Sequence, residues 1–311
     1  MEKPKACFKT SVGGQALMEG IMMRGPEKIC VAVRKPDGEI DLSYDTVRRH
    51  VWQKIPLVRG AVAMIENLVL GYRYLMHSAE LSRGEEEFEA EQSKFDKWLS
   101  EHTGPAFQSF LLGLAAVCGG LLAIVLFMVL PTAIVGGVNH FLPLGGFKVV
   151  LEGVLKIALF VAYLFLCTRL KEVHRMYEYH GAEHKTITCY EAGEELTVEN
   201  IRKYSRFHPR CGTSFMILVL IVSIILFSVL PWSSTVLRVV LKLLLLPVVM
   251  GISYELIKIA GRYDNIATRI ISAPGLWLQR LTTFEPDDSM IEVAIAAVIP
   301  VLPEKPEEGK W

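Results

Sequence analysis

Four long apolar runs set the first constraint on this chain. "FQSFLLGLAAVCGGLLAIVLFMVL", Phe107 to Leu130, carries no charge and is followed by Pro131. Similar runs occupy Phe147–Thr168, Thr213–Pro231 and Thr235–Ile257. At about 20 residues each, every run can cross a hydrocarbon core of roughly 30 Å as a helix. The second contains Glu152 and Lys156, and the fourth contains Arg238, Lys242 and Glu255. Charge inside a membrane is costly unless it is paired, so a structural ion network between these two helices is expected.

The runs predict a mainly α integral membrane protein with four transmembrane helices. The expected divisions are a cytoplasmic part over 1–106, a first helix pair over 107–168, a His-rich loop over 169–212, a second pair over 213–258, and C-terminal helices with a tail over 259–311. Basic residues fix the orientation. The 170–212 segment holds Lys171, Arg175, Lys185, Arg202, Lys203, Arg206 and Arg210, whereas "PTAIVGGVNHFLPLGG" holds no Lys or Arg. Both termini and the 170–212 loop are therefore expected in the cytoplasm of a cell whose inner membrane the chain crosses several times. The start, "MEKPKACFKTSVGGQ", has no apolar h-region, so no cleaved signal peptide is expected.

The polar parts carry weaker signals. "ICVAVRKPDGEIDLSY" alternates around Lys35-Pro36-Asp37-Gly38 and predicts a β-hairpin, making the N-terminal part α+β. Residues 55–81 predict a soluble or membrane-surface helix, and 83–101 an acidic, solvated segment. "GRYDNIATRIISAPGLWLQRLTT" predicts two short helices broken at Pro274-Gly275, and "EPDDSMIEVAIAAVIPVL" a helix capped by Asp287 or Asp288. The six cysteines show no CxxC and are expected to be reduced. Equal numbers of basic and acidic residues, 33 each, exclude nucleic acid as the main partner. The lipid bilayer is the expected partner, together with a membrane or cytoplasmic protein as partner or substrate.

The chemistry lies in "YHGAEHKTITCY", residues 179–190. His180-Gly181-Ala182-Glu183-His184 fits the H-x-x-E-H order of inverted zinc peptidases. On a helix, residues four apart share a face, so both imidazoles can point at one ion, zinc or another divalent metal. Glu183 can then stand beside water activated by the metal and act as general base. His208 and Cys211 in "RFHPRCGTSF", and Glu255 near the cytoplasmic end of the fourth run, are the candidates to complete the ligand set. An open three-ligand set would suit a hydrolase. A closed set, or a His/Glu hydrogen-bond network, would suit a non-catalytic membrane scaffold or assembly factor. His174 falls off the site face.

"GGQALMEGIMMRGP", "HGAEHKTITCYE", "HPRCGTSF" and "LTTFEPDDSMIEVAI", in this order around the apolar runs, resemble the bacterial YqhQ-like membrane proteins. That is a family of unknown function described as predicted metal-dependent enzymes. The resemblance implies an inner-membrane protein with a metal site at His180, Glu183 and His184, with His208 as a further candidate.

Overall fold

The computed structural model describes residues 8–47, 55–83, 104–232, 234–263 and 265–303. The acidic segment expected over 83–101 and the C-terminal tail fall almost wholly outside the described residues. The described chain is mainly helical with one small sheet, and it divides into two compact units.

The first unit comprises residues up to 82, 163–222 and 246 onward. Its sheet has four antiparallel strands in sequence order: β1 (Gly13–Leu17), β2 (Gly20–Arg24), β3 (Lys28–Arg34) and β4 (Ile40–Thr46). The expected hairpin is β3–β4, pairing Arg34 with Ile40, and Gly38 in its turn has φ +90°. The β1–β2 hairpin is an addition to the sequence reading. Its turn residue Glu19 has φ +48°, and Arg175 and Tyr179 hold its carboxylate. α1 (Val58–Ser82) packs its Tyr74 with Leu17, Met22, Ile29, Val31 and Val33 on one face of the sheet. Ile21, Met23, Cys30 and Ala32 point to the other face. There they meet Tyr179, Ala182 and Ile187 of one helix and Ile291, Ala294 and Val298 of another. Burial on both faces explains why β2 reads as an apolar run rather than as alternation.

The second unit comprises residues 83–162 and 223–245. The first apolar run does not stop at Pro131. α2 (Pro105–Ile124) passes through a π-helical turn, Val125–Val129, into α3 (Leu130–Phe141). The Leu130 N–H reaches back five residues to the Val125 carbonyl, so the widened turn accommodates the proline ring just after it. Glu152 accepts from Arg238 at 3.0 Å and from Thr132 at 3.0 Å, and also pairs with Lys156 and Lys242. All four charged side chains are at most 4% exposed. The expected network is present.

The remaining helices are α4 (Phe147–Cys167), α5 (Lys171–Glu191), α6 (Val198–Arg202), α7 (Gly212–Phe227), α8 (Thr235–Arg262), α9 (Ile266–Thr282) and α10 (Asp288–Val298). Among the described residues, three helices are long and apolar enough to cross a membrane: Gly113–Phe141, α4 and α8. The fourth expected run falls on α7. α7 is apolar but has only 16 residues, about 24 Å of rise, because its helical hydrogen bonding gives way to turns after Phe227. α4 also ends earlier than expected, with a turn over 168–170 before α5 begins. α9 runs unbroken through Pro274, whose clash falls on the carbonyl of exposed Ile270. Asp287 caps α10 by accepting from the Met290 N–H at 2.9 Å, as its sequence predicts. The five described cysteines are free.

Candidate metal site

α5 places the motif where the sheet, α9 and the 205–211 loop meet within the first unit. Gly181, between the two histidines' turns, is required by this packing: a Cβ there would lie 2.0 Å from the Phe284 carbonyl oxygen. His180 and His184 share one face of α5, with ring centroids 4.4 Å apart. Cys211 immediately precedes α7, and its Sγ lies 3.1 Å from His180 Nε2. Ligand atoms of His180, His184 and Cys211 all lie within 4.8 Å of one another. Tetrahedral zinc holds thiolate and imidazole atoms about 3.3–3.6 Å apart.

The second ring nitrogens decide what the first can do. His180 Nδ1 lies 2.8 Å from the Thr282 carbonyl oxygen, and His184 Nδ1 lies 2.6 Å from that of Arg206. A carbonyl oxygen only accepts, so each Nδ1 carries a proton, and in the neutral ring each Nε2 keeps its lone pair. Such backbone acceptors are the usual outer support of a metal-bound histidine.

Electrostatics agree with the donor set. Burial alone would raise the Cys211 thiol, but His180 and His184 outweigh it and hold the group well below its ordinary value. The Thr213 N–H, in the first turn of α7, also points at the sulfur, at 3.4 Å. Burial would lower His180, yet Cys211 pushes it up to about 9. Without a cation, the site thus favours a thiolate–imidazolium pair; with one, it offers a thiolate and two neutral imidazoles.

Glu183 faces β1 rather than solvent. Burial pushes its carboxyl up, against the pull of His180 and His184, and the Gly14 N–H donates to it. Among the described residues, its Oε2 has no hydrogen-bond partner. A Cβ at Gly14 would come within 3.1 Å of the Glu183 carboxyl carbon and 2.5 Å of the Met22 carbonyl oxygen, so only glycine admits this approach.

Two predicted ligands lie elsewhere. His208 is close, its ring 5.6 Å from that of His184, but its Nε2 faces Glu191 at 3.6 Å and Arg210 at 3.2 Å. Burial holds its imidazole below the ordinary value. Glu255 is taken by Arg59 in a two-point ion pair and does not join the cluster. The off-site placement of His174 agrees with its stacking on Phe284 at 4.1 Å.

The residues that the sequence does not mark are the supports. Gln279 accepts from the His208 N–H at 2.8 Å and donates to the His208 carbonyl at 2.7 Å, which fixes the loop carrying Arg206 and Cys211. Glu191 accepts from the Thr10 N–H at 2.7 Å and pairs with Arg210, tying the same loop to the N-terminal segment.

A family model described as "Protein of unknown function (DUF1385)" matches residues 55–304, which include α1, all the apolar helices and the whole His/Cys cluster. The chain belongs to the DUF1385 family. It is similar to a protein described as "Uncharacterized protein YqhQ" from Bacillus subtilis (strain 168). The two are 34% identical over 292 residues, covering 91% of this chain and 89% of that one. The resemblance read from the four sequence motifs is therefore correct. No solved structure matches the chain.

Proposed function

We propose that this chain is a multi-pass bacterial inner-membrane protein and a zinc-class metal-dependent hydrolase, with its site at the cytoplasmic face. One observation carries the reading: both histidines have their Nδ1 committed to backbone carbonyls, beside Cys211 and a Glu183 oxygen without a partner. His180, His184 and Cys211 would hold the ion, which supplies Lewis-acid polarisation when bound. Glu183 takes the proton from the attacking water; burial raises its carboxyl and so favours proton acceptance. The H-x-x-E-H order makes a peptide bond the first substrate class to test. α7, extended by the turn residues after Phe227, serves as a short fourth span, and the Lys/Arg asymmetry of the loops places both termini in the cytoplasm.

A structural role is the second reading, and burial favours it. Glu183, His184 and Cys211 are 5%, 1% and 6% exposed, so Glu183 could close the set as a fourth ligand that staples α5 to the 205–211 loop. Glu183→Gln separates the two. The amide preserves size, so a catalytic Glu183 predicts normal folding and metal content with activity in a deletion strain reduced about 10²–10⁴-fold. A fourth-ligand Glu183 predicts loss of metal. Full complementation by a metal-loaded Glu183→Gln protein contradicts the hydrolase.

A further inference from the structure

One helix of the first unit, α9, has reversed polarity. The side of α9 turned into the protein carries Thr268, Ser272, Gly275, Gln279 and Thr282, with Leu278 as its one large apolar residue, all buried. Its outward side carries Ile266, Ile270 and Trp277, which are 78%, 66% and 55% exposed. At about 100° per residue these three fall within about 40° of one another, a continuous stripe. α1 also presents an outward apolar stripe, Ile65, Leu68, Val69, Tyr72 and Met76, but it buries Tyr74 against the sheet beside Gly60, Gly71 and Ser78. A helix surrounded by water does the opposite, because burying apolar rather than polar surface is what stabilises its packing. Small and polar residues inward with apolar residues outward is the arrangement of helices in contact with lipid.

Charge specifies which lipid. Arg269 and Arg280 are exposed and lie about 40–60° from the Ile266 direction, along one edge of the α9 stripe. Arginines bordering an apolar stripe, with a tryptophan in it, fit anionic headgroups. Length and packing specify how the helix lies. Seventeen residues rise about 25 Å, short of a hydrocarbon core of roughly 30 Å. Gly275 and Gln279 both meet Ser214, the third residue of α7, so α9 crosses the beginning of that apolar helix.

We propose that α9 lies in the plane of the headgroup layer of an anionic bilayer, with Ile266, Ile270 and Trp277 in the acyl boundary and Arg269 and Arg280 on lipid phosphates. Its last residue, Thr282, receives the His180 Nδ1–H, so the candidate metal site sits at headgroup depth. The proposal holds whether or not that site is catalytic.

The test uses the full chain in bilayer nanodiscs of phosphatidylcholine with and without phosphatidylglycerol. Spin labels are placed at Ile270 and, for comparison, at Asp37 in the exposed β3–β4 turn. The expected result is an oxygen-to-nickel accessibility ratio several-fold higher at Ile270 than at Asp37, rising further with phosphatidylglycerol. The charge reversal R269E/R280E should remove the phosphatidylglycerol-dependent part and keep the rest. Equal ratios at the two positions overturn the proposal. So does spectral broadening at Ile270 that disappears on dilution with unlabelled protein, which would mean that a second copy covers the stripe. A ratio indifferent to phosphatidylglycerol overturns the assignment to anionic lipid.

Discussion

The protein buries two clusters of ionisable side chains, and they differ in what is left over. In the second unit, Glu152 is met by Thr132, Lys156, Arg238 and Lys242, and Arg238 also donates to the carbonyls of Leu230 and Phe227. Both Glu152 oxygens there have cationic partners, and the atom left without a partner among the described residues, Arg238 Nε, is a donor and cannot ligate a cation. In the first unit, the ligand atoms of His180, His184 and Cys211 converge on one point, and among the described residues one Glu183 oxygen has no partner. A saturated cluster holds helices together, whereas an unsaturated, convergent one can hold an ion. Counting charged residues would rank the two the other way.

The largest stability effect is expected in the saturated cluster. Glu152→Ala removes the one carboxylate among three buried cations, which should cost about 5 kcal/mol and prevent stable insertion. The yield and thermal unfolding of detergent-solubilised protein measure this. A mild effect would mean that the cations are not held by Glu152, and the contrast between the clusters would weaken.

Glu191→Gln comes next. Glu191 and Arg210 are 6% and 5% exposed, and the amide still accepts from Thr10, so the loss should be about 3 kcal/mol. Burial pushes Glu191 up, but His208 and Arg210 outweigh this and hold it below the ordinary glutamate range. A depressed carboxyl contributes stability that is fully present above its unfolded value and is lost as pH falls through the folded one. Thermal unfolding of the wild type should therefore weaken more steeply below about pH 4.5 than that of Glu191→Gln. Parallel pH profiles would show that Glu191 does not support the loop.

Gly14→Ala should cost about 1–3 kcal/mol by overpacking against the Met22 carbonyl and Glu183, and it should also lower metal affinity. Unchanged affinity would mean that β1 does not set the position of Glu183. The smallest effect belongs to the surface. Asp288 and Arg202 are 50% and 58% exposed, so Asp288→Ala should shift stability by under about 1 kcal/mol, screened further by salt, with metal content unchanged.

How much was legible in sequence follows the same division. His180 and His184 declare themselves because a spacing of four puts both on one helical face, and Cys211 is found by its place beside an apolar run. Glu255 looks equivalent, yet Arg59, 196 residues away, takes it. No local pattern announces such a partner. His208 is diverted in the same way by Glu191. The acceptors at Thr282 and Arg206 are main-chain atoms, which any residue provides, so they leave no trace in the sequence. Pro131 and Pro274 signal helix ends locally, but a π-helical turn and an exposed carbonyl absorb them. The β1–β2 hairpin was hidden because "GGQALMEGIMMR" lacks alternation when both faces of β2 are covered.

The central claim is that His180, His184 and Cys211 form a metal site from which His208 and Glu255 are excluded. The most direct measurement is the divalent metal content of purified full-length protein, in the wild type, His180→Ala/His184→Ala, Cys211→Ala, His208→Ala and Glu255→Ala. The account predicts about one ion per chain in the wild type, His208→Ala and Glu255→Ala, and little in the other two. Full metal content in His180→Ala/His184→Ala, or its loss in Glu255→Ala alone, would contradict it.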